Sequence, residues 1–517
     1  MRRGFDGDGV IRTWESWTRD RVESLTQRHV LRSLRPVDAG GRGWSPSGVP
    51  RGASSAEVWV SGPTMRAWET GAHDLGDSAD VVPANGVTLD AFAATTAATT
   101  RTSFPDGTTS RVTGKTDDDA NDVHHRRLRL FSSNDYLGLG THPRVRAAAA
   151  RAAEKHGSGP RSSPLVCGYT VAHRELEKGL ALLKNTEECL LFPAGFAVNL
   201  GVLPSLADGK DCEIFSDRLN HASIVDGCRL ASLKGTKVTV YEHNDVRHLE
   251  ALLTKSTRKR KLVVTDALFS VDGDFAPLRE IASLKRRLGN DSFFFVIDEA
   301  HATLVCGKTG GGAAEMLLKD TKTTPNDSED LSYLVDVHVG TLSKAFGSHG
   351  GFACCSRSLK SLLLSSSRTQ IFSTALPAPC VAAATEALRV AGGYGTPGVT
   401  ENESEENVDE GVSLRARLWR HVERLRDGLQ LKPLLHGGRV LNESITSPIA
   451  CVAYGSETHA LKASAVLLNR GLHAPAIRPP TVPLGTSRVR LALSAAHSDT
   501  DIDALVEALT TIAEPRL

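Results

Sequence analysis

Hydrophobic and polar positions fall into two regimes along the chain. From Arg127 onward, short apolar runs alternate with amphipathic stretches of helical spacing. Leu128–Phe131 reads as a strand. His142–His156 reads as a helix with an alanine-rich face, Gly157-Ser-Gly-Pro-Arg breaks it, and 172–184 reads as a second helix. Strands then recur at Cys189–Phe192, Glu213–Ser216, Lys237–Tyr241, Lys261–Asp266, Phe293–Asp298, Val335–Val339 and Gly351–Cys355, with helices between. That alternation predicts a mainly parallel, doubly wound sheet. Two hydrophilic stretches, Lys319–Ser332 and the acidic Thr396–Gly411, read as surface insertions that carry no chemistry. A long helix begins near Pro377. From Val412 the order changes to helix, short strands and helix, ending in the amphipathic Asp501–Ile512. The fold class is therefore α/β, with a large domain at 127–385 and a smaller α+β domain at 386–517.

Before Arg127 the pattern weakens. Trp14, Trp17, Val22, Leu25, Val30 and Leu31 give residues 12–36 one amphipathic helix, within an N-terminal segment 1–37. Residues 38–126 are rich in Gly, Ser, Thr, Asp and Pro and read as a low-complexity insertion, disordered above all at Ala93–Asp119. A short strand pair is expected around Ala56–Ser61. The 517 residues can bury a large core, and the net charge of +1 offers nothing to a nucleic acid. No apolar run reaches membrane-spanning length, so no membrane partner is expected. The nine cysteines lack metal-type spacing, and adjacent Cys354 and Cys355 in an expected strand argue for buried thiols and a reducing compartment. The N-terminus lacks an apolar signal core, and its early acids speak against a transit peptide.

Two stretches carry the chemistry. Val-Asp-Val-His-Val-Gly-Thr-Leu-Ser-Lys-Ala-Phe-Gly at 335–347 is an apolar strand with Lys344 at its exit. A lysine among apolar residues loses hydration, its pKa falls, and its neutral amine can form a Schiff base with an aldehyde cofactor. Phe-Phe-Phe-Val-Ile-Asp-Glu-Ala-His at 293–301 is a buried parallel strand ending in Asp298. Ligands of open α/β sheets bind at the carboxyl ends of strands. Alone, Asp298 also reads as a helix cap or a magnesium ligand. With Lys344 downstream, Asp298 can hold a protonated pyridine nitrogen and His301 can reach a neighbouring phenolate oxygen, which is the electronic tuning that pyridoxal 5'-phosphate (PLP) needs.

These stretches resemble the α-oxoamine synthases, PLP enzymes of fold-type I. Ser-Ser-Asn-Asp-Tyr-Leu-Gly-Leu at 132–139, Cys-Gly-Tyr-Thr-Val-Ala-His at 167–173, Asn-His-Ala-Ser at 220–223 and Leu-Phe-Ser-Val-Asp-Gly-Asp at 268–274 carry the likeness further. It runs from Phe131 to about Leu509, with a short match near Trp14–Val37. Within the family the chain most resembles the biotin-pathway branch in its plant-like form. The resemblance implies a homodimer that joins L-alanine to a pimeloyl thioester with loss of carbon dioxide. The doubled proline and Thr481 in Pro-Pro-Thr-Val-Pro at 479–483 favour that branch over sister enzymes that use glycine or serine. A non-catalytic subunit on this fold would have lost Lys344, and here Lys344, Asp298 and His301 are all present.

Site residues follow from the same resemblance. Pro193-Ala-Gly-Phe opens a helix after a strand, and a helix start favours an anion. The family pattern gives Gly195 and Phe196 to the phosphate, with contacts from Thr341 and Ser270. His221 would stack on the ring and reach the substrate carboxylate. That carboxylate needs a cation, and a bidentate guanidinium suits it. Arg488 and Arg490 share one strand face, so periodicity leaves both open. The resemblance favours Arg490, with Asn134 as a second contact, and places Thr481 and Arg32 at substrate. The C-terminal Pro-Arg-Leu resembles peroxisomal addresses, so the expected location is peroxisome or cytosol.

Overall fold

The structure is a computed structural model that describes residues 56–60, 126–207, 209–318, 330–392, 401–430, 432–441 and 444–510. The helix expected at 12–36, Arg32, Ala93–Asp119 and the C-terminal Pro-Arg-Leu lie outside the described residues. The chain divides into two compact units, residues 1–38 with 59–127 and residues 39–58 with 128–517. Of the strand pair expected around Ala56–Ser61, the described residues hold β1 (Glu57–Val60). The next strand is β2 (Arg126–Leu130), whose Leu130 N–H donates to Ala56 O at 2.6 Å.

Seven of the apolar runs form one sheet. They are β3 (Glu188–Phe192), β4 (Cys212–Asp217), β5 (Lys237–Tyr241), β6 (Arg260–Asp266), β7 (Phe294–Asp298), β8 (Val337–Thr341) and β9 (Gly351–Cys355), ordered β3-β9-β8-β7-β6-β4-β5. From β5 to β8 all neighbours are parallel, while β9 runs antiparallel to both β8 and β3. Two antiparallel steps leave β3 pointing the same way as β8. The carboxyl ends of β3, β4, β6, β7 and β8 therefore share one edge, where an open α/β sheet binds its ligand.

Period-two geometry explains the continuous apolar runs. Successive side chains enter opposite faces, and helices cover both faces. Val263, Phe295, Ile297 and Phe352 join one core, while Leu262, Val264, Val296, Val337 and Ala353 join the other. Each fully buried Val, Leu, Ile or Phe among them contributes about 1.5–3 kcal/mol. The first core continues into a second sheet through Ile449, Val452, Val489 and Leu491.

That second sheet is the smaller C-terminal one. It comprises β10 (Arg439–Val440), β11 (Ile449–Gly455), β13 (Ala476–Ile477) and β14 (Ser487–Ala492), ordered β10-β11-β14-β13. The short strand β12 (Leu472–His473) pairs in parallel with β2 instead. β11 and β14 are antiparallel, with Cys451 opposite Arg490 and Ala453 opposite Arg488.

Two sequence expectations need correction. Thr396–Gly411 is not a bare insertion, because residues from Glu401 belong to the 29-residue helix Glu401–Leu429. Near the end of the misread stretch, Glu410 pairs with His142 Nε2 at 3.0 Å and with Arg144 at 3.6 Å. Polar composition there belongs to a helix rather than a loop. The boundary set between 385 and 386 falls inside the helix Ala378–Gly392, which packs on the helices Pro143–His156 and Val171–Lys184. All nine thiols are unbridged, and Cys354 and Cys355 are buried in β9.

Candidate active site

Strand ends deliver the polar groups. Thr341 ends β8, Asp298 ends β7, Asp266 ends β6, and Ala194-Gly195 follows β3. They line one cavity of about 220 Å3 with Phe196, His221, Ser223, Ser270, His301, Ser343 and Lys344.

Lys344 sits in the tight turn joining β8 to β9. Leu342 N–H donates to Gly350 O at 2.9 Å, and Gly347 N–H donates to Lys344 O at 2.8 Å. Gly347 has φ +60°, and a Cβ there would lie 2.1 Å from Gly140 N, so the turn admits only glycine. Burial pushes the Lys344 ammonium below its ordinary pKa, against the pull of Asp298 and Asp266.

Asp298 Oδ1 accepts from Ala300 N–H at 2.9 Å and Oδ2 from Asn199 Nδ2 at 2.7 Å. Asn199 also donates to Ser223 Oγ at 2.9 Å, and Ser223 Oγ lies 2.8 Å from His221 Nδ1. His221 Nδ1 accepts from Ser223 N–H at 3.2 Å, which assigns the ring proton to Nε2. The protein around His221 strips water from part of the ring and lowers its pKa, against Asp298. The ring of Phe196 meets that of His221 edge-on, with centroids 6.1 Å apart.

His301 is buried, and burial holds its imidazole well below the ordinary pKa and so neutral. Its Nδ1 lies 2.7 Å from the Tyr136 hydroxyl, whose own pKa burial pushes up to about 12. Asp266 faces Asp298 across the β6–β7 register, and burial with that neighbour raises its pKa well above 3.8. Its Oδ2 accepts from His221 N–H at 2.7 Å.

The tie between the two β14 arginines breaks in three dimensions. Arg488 Nη1 donates to Asp272 Oδ1 at 2.6 Å and to Val271 O at 3.2 Å. Arg490 instead donates through Nε to Ser270 O and through Nη2 to Asn134 Oδ1 at 3.1 Å. Its charge is felt at Lys344 and His301. The structure thus brings together Gly195, Phe196, His221, Ser270, Asp298, His301, Thr341 and Lys344, with Asn134 and Arg490 beside them. Thr481 is exposed in a turn whose N–H donates to Arg478 O at 3.0 Å, away from the cavity lining.

The model of class I and II aminotransferases matches residues 127–509. The chain belongs to the class I and II aminotransferase family. It is 39% identical to an 8-amino-7-oxononanoate synthase of Arabidopsis thaliana, over 96% of this chain and 95% of that one. It is 44% identical to the enzyme of that name from Anaeromyxobacter sp. strain K, over 76% and 90%. A serine palmitoyltransferase from Sphingomonas wittichii superposes with TM-score 0.64 and 29% identity, covering 74% of this chain and 86% of that one. A palmitoyltransferase structure described with a PLP internal aldimine gives the same figures.

The residues of this aminotransferase fold fit PLP. The helix Gly195–Leu206 has no side-chain cap, so its first N–H groups open toward the cavity beside the hydroxyls of Thr341 and Ser343. A Cβ at Gly195 would lie 2.8 Å from Thr341 Oγ1, so glycine is required for the helix start to come this close. Sequence reasoning missed Asp266, Asn199 and Tyr136. Asp266 ends an apolar strand just as Asp298 does, which was a usable signal. Asn199 and Tyr136 sit in a helix and a turn and gave none.

Proposed function

We propose that this chain is a PLP-dependent 8-amino-7-oxononanoate synthase: it joins L-alanine to pimeloyl-CoA and releases carbon dioxide and CoA, as in biotin synthesis. The observation that carries the reading is that Lys344 shares one cavity with the strand-end carboxylates Asp298 and Asp266, with Arg490 and Asn134 alongside, in a chain whose full-length relatives bear that name. When bound, PLP supplies an aldehyde for amines and a cationic ring that takes up electrons from the substrate Cα.

The chain's own residues divide the remaining work. The Gly195 helix start, Phe196, Ser270 and Thr341 hold the phosphate. Asp298 holds a proton at the pyridine nitrogen, and Asn199 with Ala300 N–H keeps its carboxylate aimed. Neutral His301, set by Tyr136, meets the ring oxygen. His221 would stack on the ring and present Nε2–H to the substrate. Arg490 and Asn134 hold the alanine carboxylate. Lys344, kept easy to deprotonate by burial, anchors the cofactor and then takes the alanine Cα proton at Nζ. Arg32 and Thr481 are proposed for substrate by family pattern.

A homodimer is part of the proposal. Leu165, Val166, Tyr169, Val171 and Phe372 are 39–79% exposed around the turn Pro164–Gly168, an apolar surface suited to a second copy. A peroxisomal or cytosolic location is proposed with it, on the resemblance to the plant-like branch alone. Among the described residues no helix is long and apolar enough to cross a membrane.

The test is thiol release with PLP over a matrix of alanine, glycine and serine against pimeloyl-, acetyl- and palmitoyl-CoA. Alanine with pimeloyl-CoA should dominate. Faster turnover of serine with palmitoyl-CoA, or of glycine with acetyl-CoA, would replace this reading with that of a sister enzyme.

A further inference from the structure

Outside the cavity, His243 lies between two carboxylates. Its Nδ1 is 2.9 Å from Asp217 Oδ1 and its Nε2 is 2.9 Å from Asp274 Oδ2. An ionised carboxylate only accepts, so a ring that satisfies both must carry both protons. Phe269 closes one side edge-on, at 4.5 Å between centroids. Asn244, the next residue, donates its backbone N–H to Asp217 Oδ2 at 2.9 Å and its side chain to Asp274 Oδ2 at 3.0 Å.

The two acids belong to different walls of the active site. Asp217 ends β4 and caps the turn that presents His221, accepting from Leu219 N–H at 2.8 Å. Asp274 lies at the base of the hairpin-like loop 268–275, where Phe269 N–H donates to Asp274 O at 2.9 Å. The tip of that loop is gripped by the C-terminal sheet. Arg490 donates to Ser270 O, Arg488 to Val271 O and Asp272, and Ser447 Oγ to Gly273 O at 2.7 Å. His243 is thus the tie between the turn that carries His221 and the loop that seats Arg490. The adjoining charges, Arg218 with Glu242 and Arg488 with Asp272, are paired with each other.

We propose that His243, as an imidazolium bridging Asp217 and Asp274, is a positioning residue that sets His221 and Arg490 at the spacing the amino-acid substrate needs. The tie acts chiefly on binding of the amino acid, because Gly195, Thr341 and Asp298, which also hold the cofactor, lie on other elements of the fold. The proposal rests on the reading of Arg490 as the carboxylate cation. Its stiffness comes from two charge-assisted hydrogen bonds, the strong kind. The two carboxylates also raise the ring's pKa to about 10, against burial, so it stays charged at neutral pH.

The experiment titrates L-alanine into PLP-loaded enzyme and follows the cofactor's visible absorption, with kcat measured separately. Asp274→Asn keeps the shape and removes one charge. It should weaken alanine roughly tenfold, the scale of one charge-assisted hydrogen bond. Its kcat and its spectrum without alanine should stay as in the parent. His243→Gln should move alanine affinity the same way, and if it does not fold, Asp274→Asn decides. Ring NMR should show His243 doubly protonated at pH 8. Unchanged alanine affinity in folded Asp274→Asn, or a neutral His243 at that pH, overturns the proposal. Arg490→Lys is run beside them. If it leaves alanine binding intact, the underlying site reading fails, and that failure is distinct from a tie that does nothing.

Discussion

Asp298 and Glu299 are neighbours at the end of β7, yet they serve opposite environments. Glu299 meets Lys184 Nζ at 2.8 Å, His338 Nδ1 at 2.8 Å and Ala314 N–H at 3.0 Å, all buried. Burial alone would raise its pKa, but Lys184 and His338 hold it at about 2. Asp298 has only neutral donors in contact, and the ionisable groups around it are shifted toward their uncharged forms. Asp266 is raised, while Lys344, His221 and His301 are lowered. One side of the strand end is a closed ion cluster, finished at folding. On the other, among the described residues, Asp298 has no ion pair in contact, which suits a cationic ring and an anionic substrate. Groups shifted toward their uncharged forms mark the functional side, and a fully buried ion cluster marks the structural one.

Breaking the comparison on the functional side should cost activity and spare stability. Lys344→Ala removes both the cofactor anchor and the proton acceptor, so turnover should fall roughly a thousandfold or more. Unfolding by urea should be no easier, since an ammonium disfavoured by burial has gone. Retained turnover with alanine would show that Lys344 has been misassigned.

On the structural side the effects should be reversed. Glu299→Gln leaves Lys184 buried without its carboxylate, which typically costs about 3–5 kcal/mol of stability. The measurement is the urea midpoint and slope of the loaded enzyme, with kcat scaled to folded protein. A stability loss below about 1 kcal/mol, the range of an exposed pair, would mean that the cluster is not a structural centre.

Legibility in the sequence follows the same division. The central strands were readable because a strand buried on both faces is mostly apolar: Phe294–Asp298 is so up to its terminal acid, and Val337–Thr341 departs from it only at His338 and Thr341. Lys344, Asp298 and His301 stood out because each ends or closely follows such a run. Glu299 was printed beside Asp298 and said nothing, since its partners come from residues 184 and 338. Arg488 and Arg490 were indistinguishable for a physical reason: period two puts both on one face, and only partners far away in the chain, Asp272 for Arg488 and Asn134 for Arg490 among them, separate them. The helix Glu401–Leu429 was half missed because an acid-rich helix start has the composition of a loop.

That separation of the arginines can be sharpened. Arg490→Lys keeps the charge but loses the planar fork that holds a carboxylate with two parallel hydrogen bonds. Alanine affinity should fall roughly thirtyfold or more. Arg488→Lys keeps a cation for Asp272 and should be milder. The readout is an alanine titration of both variants, and a larger defect at Arg488 would move the carboxylate site two residues along β14.

The smallest expected effect separates Asp266 from Glu299 by sign. Glu299 has a folded pKa of about 2 against an ordinary 4.5, so its stabilisation is present above that ordinary value and lost as pH falls toward 2. Asp266 is raised above its ordinary 3.8 by burial and by Asp298, so the folded state binds its proton more tightly than the unfolded state. Its linkage therefore runs the other way, and stability is lost as pH rises above that ordinary value. Asn at 266 keeps an acceptor for His221 N–H and cannot ionise. Urea unfolding from about pH 5 to about pH 7 should then show the parent losing ground to Asp266→Asn as pH rises, while Glu299 is already fully ionised and adds no slope. Parallel curves for parent and Asp266→Asn across that range would mean that burial beside Asp298 does not raise Asp266.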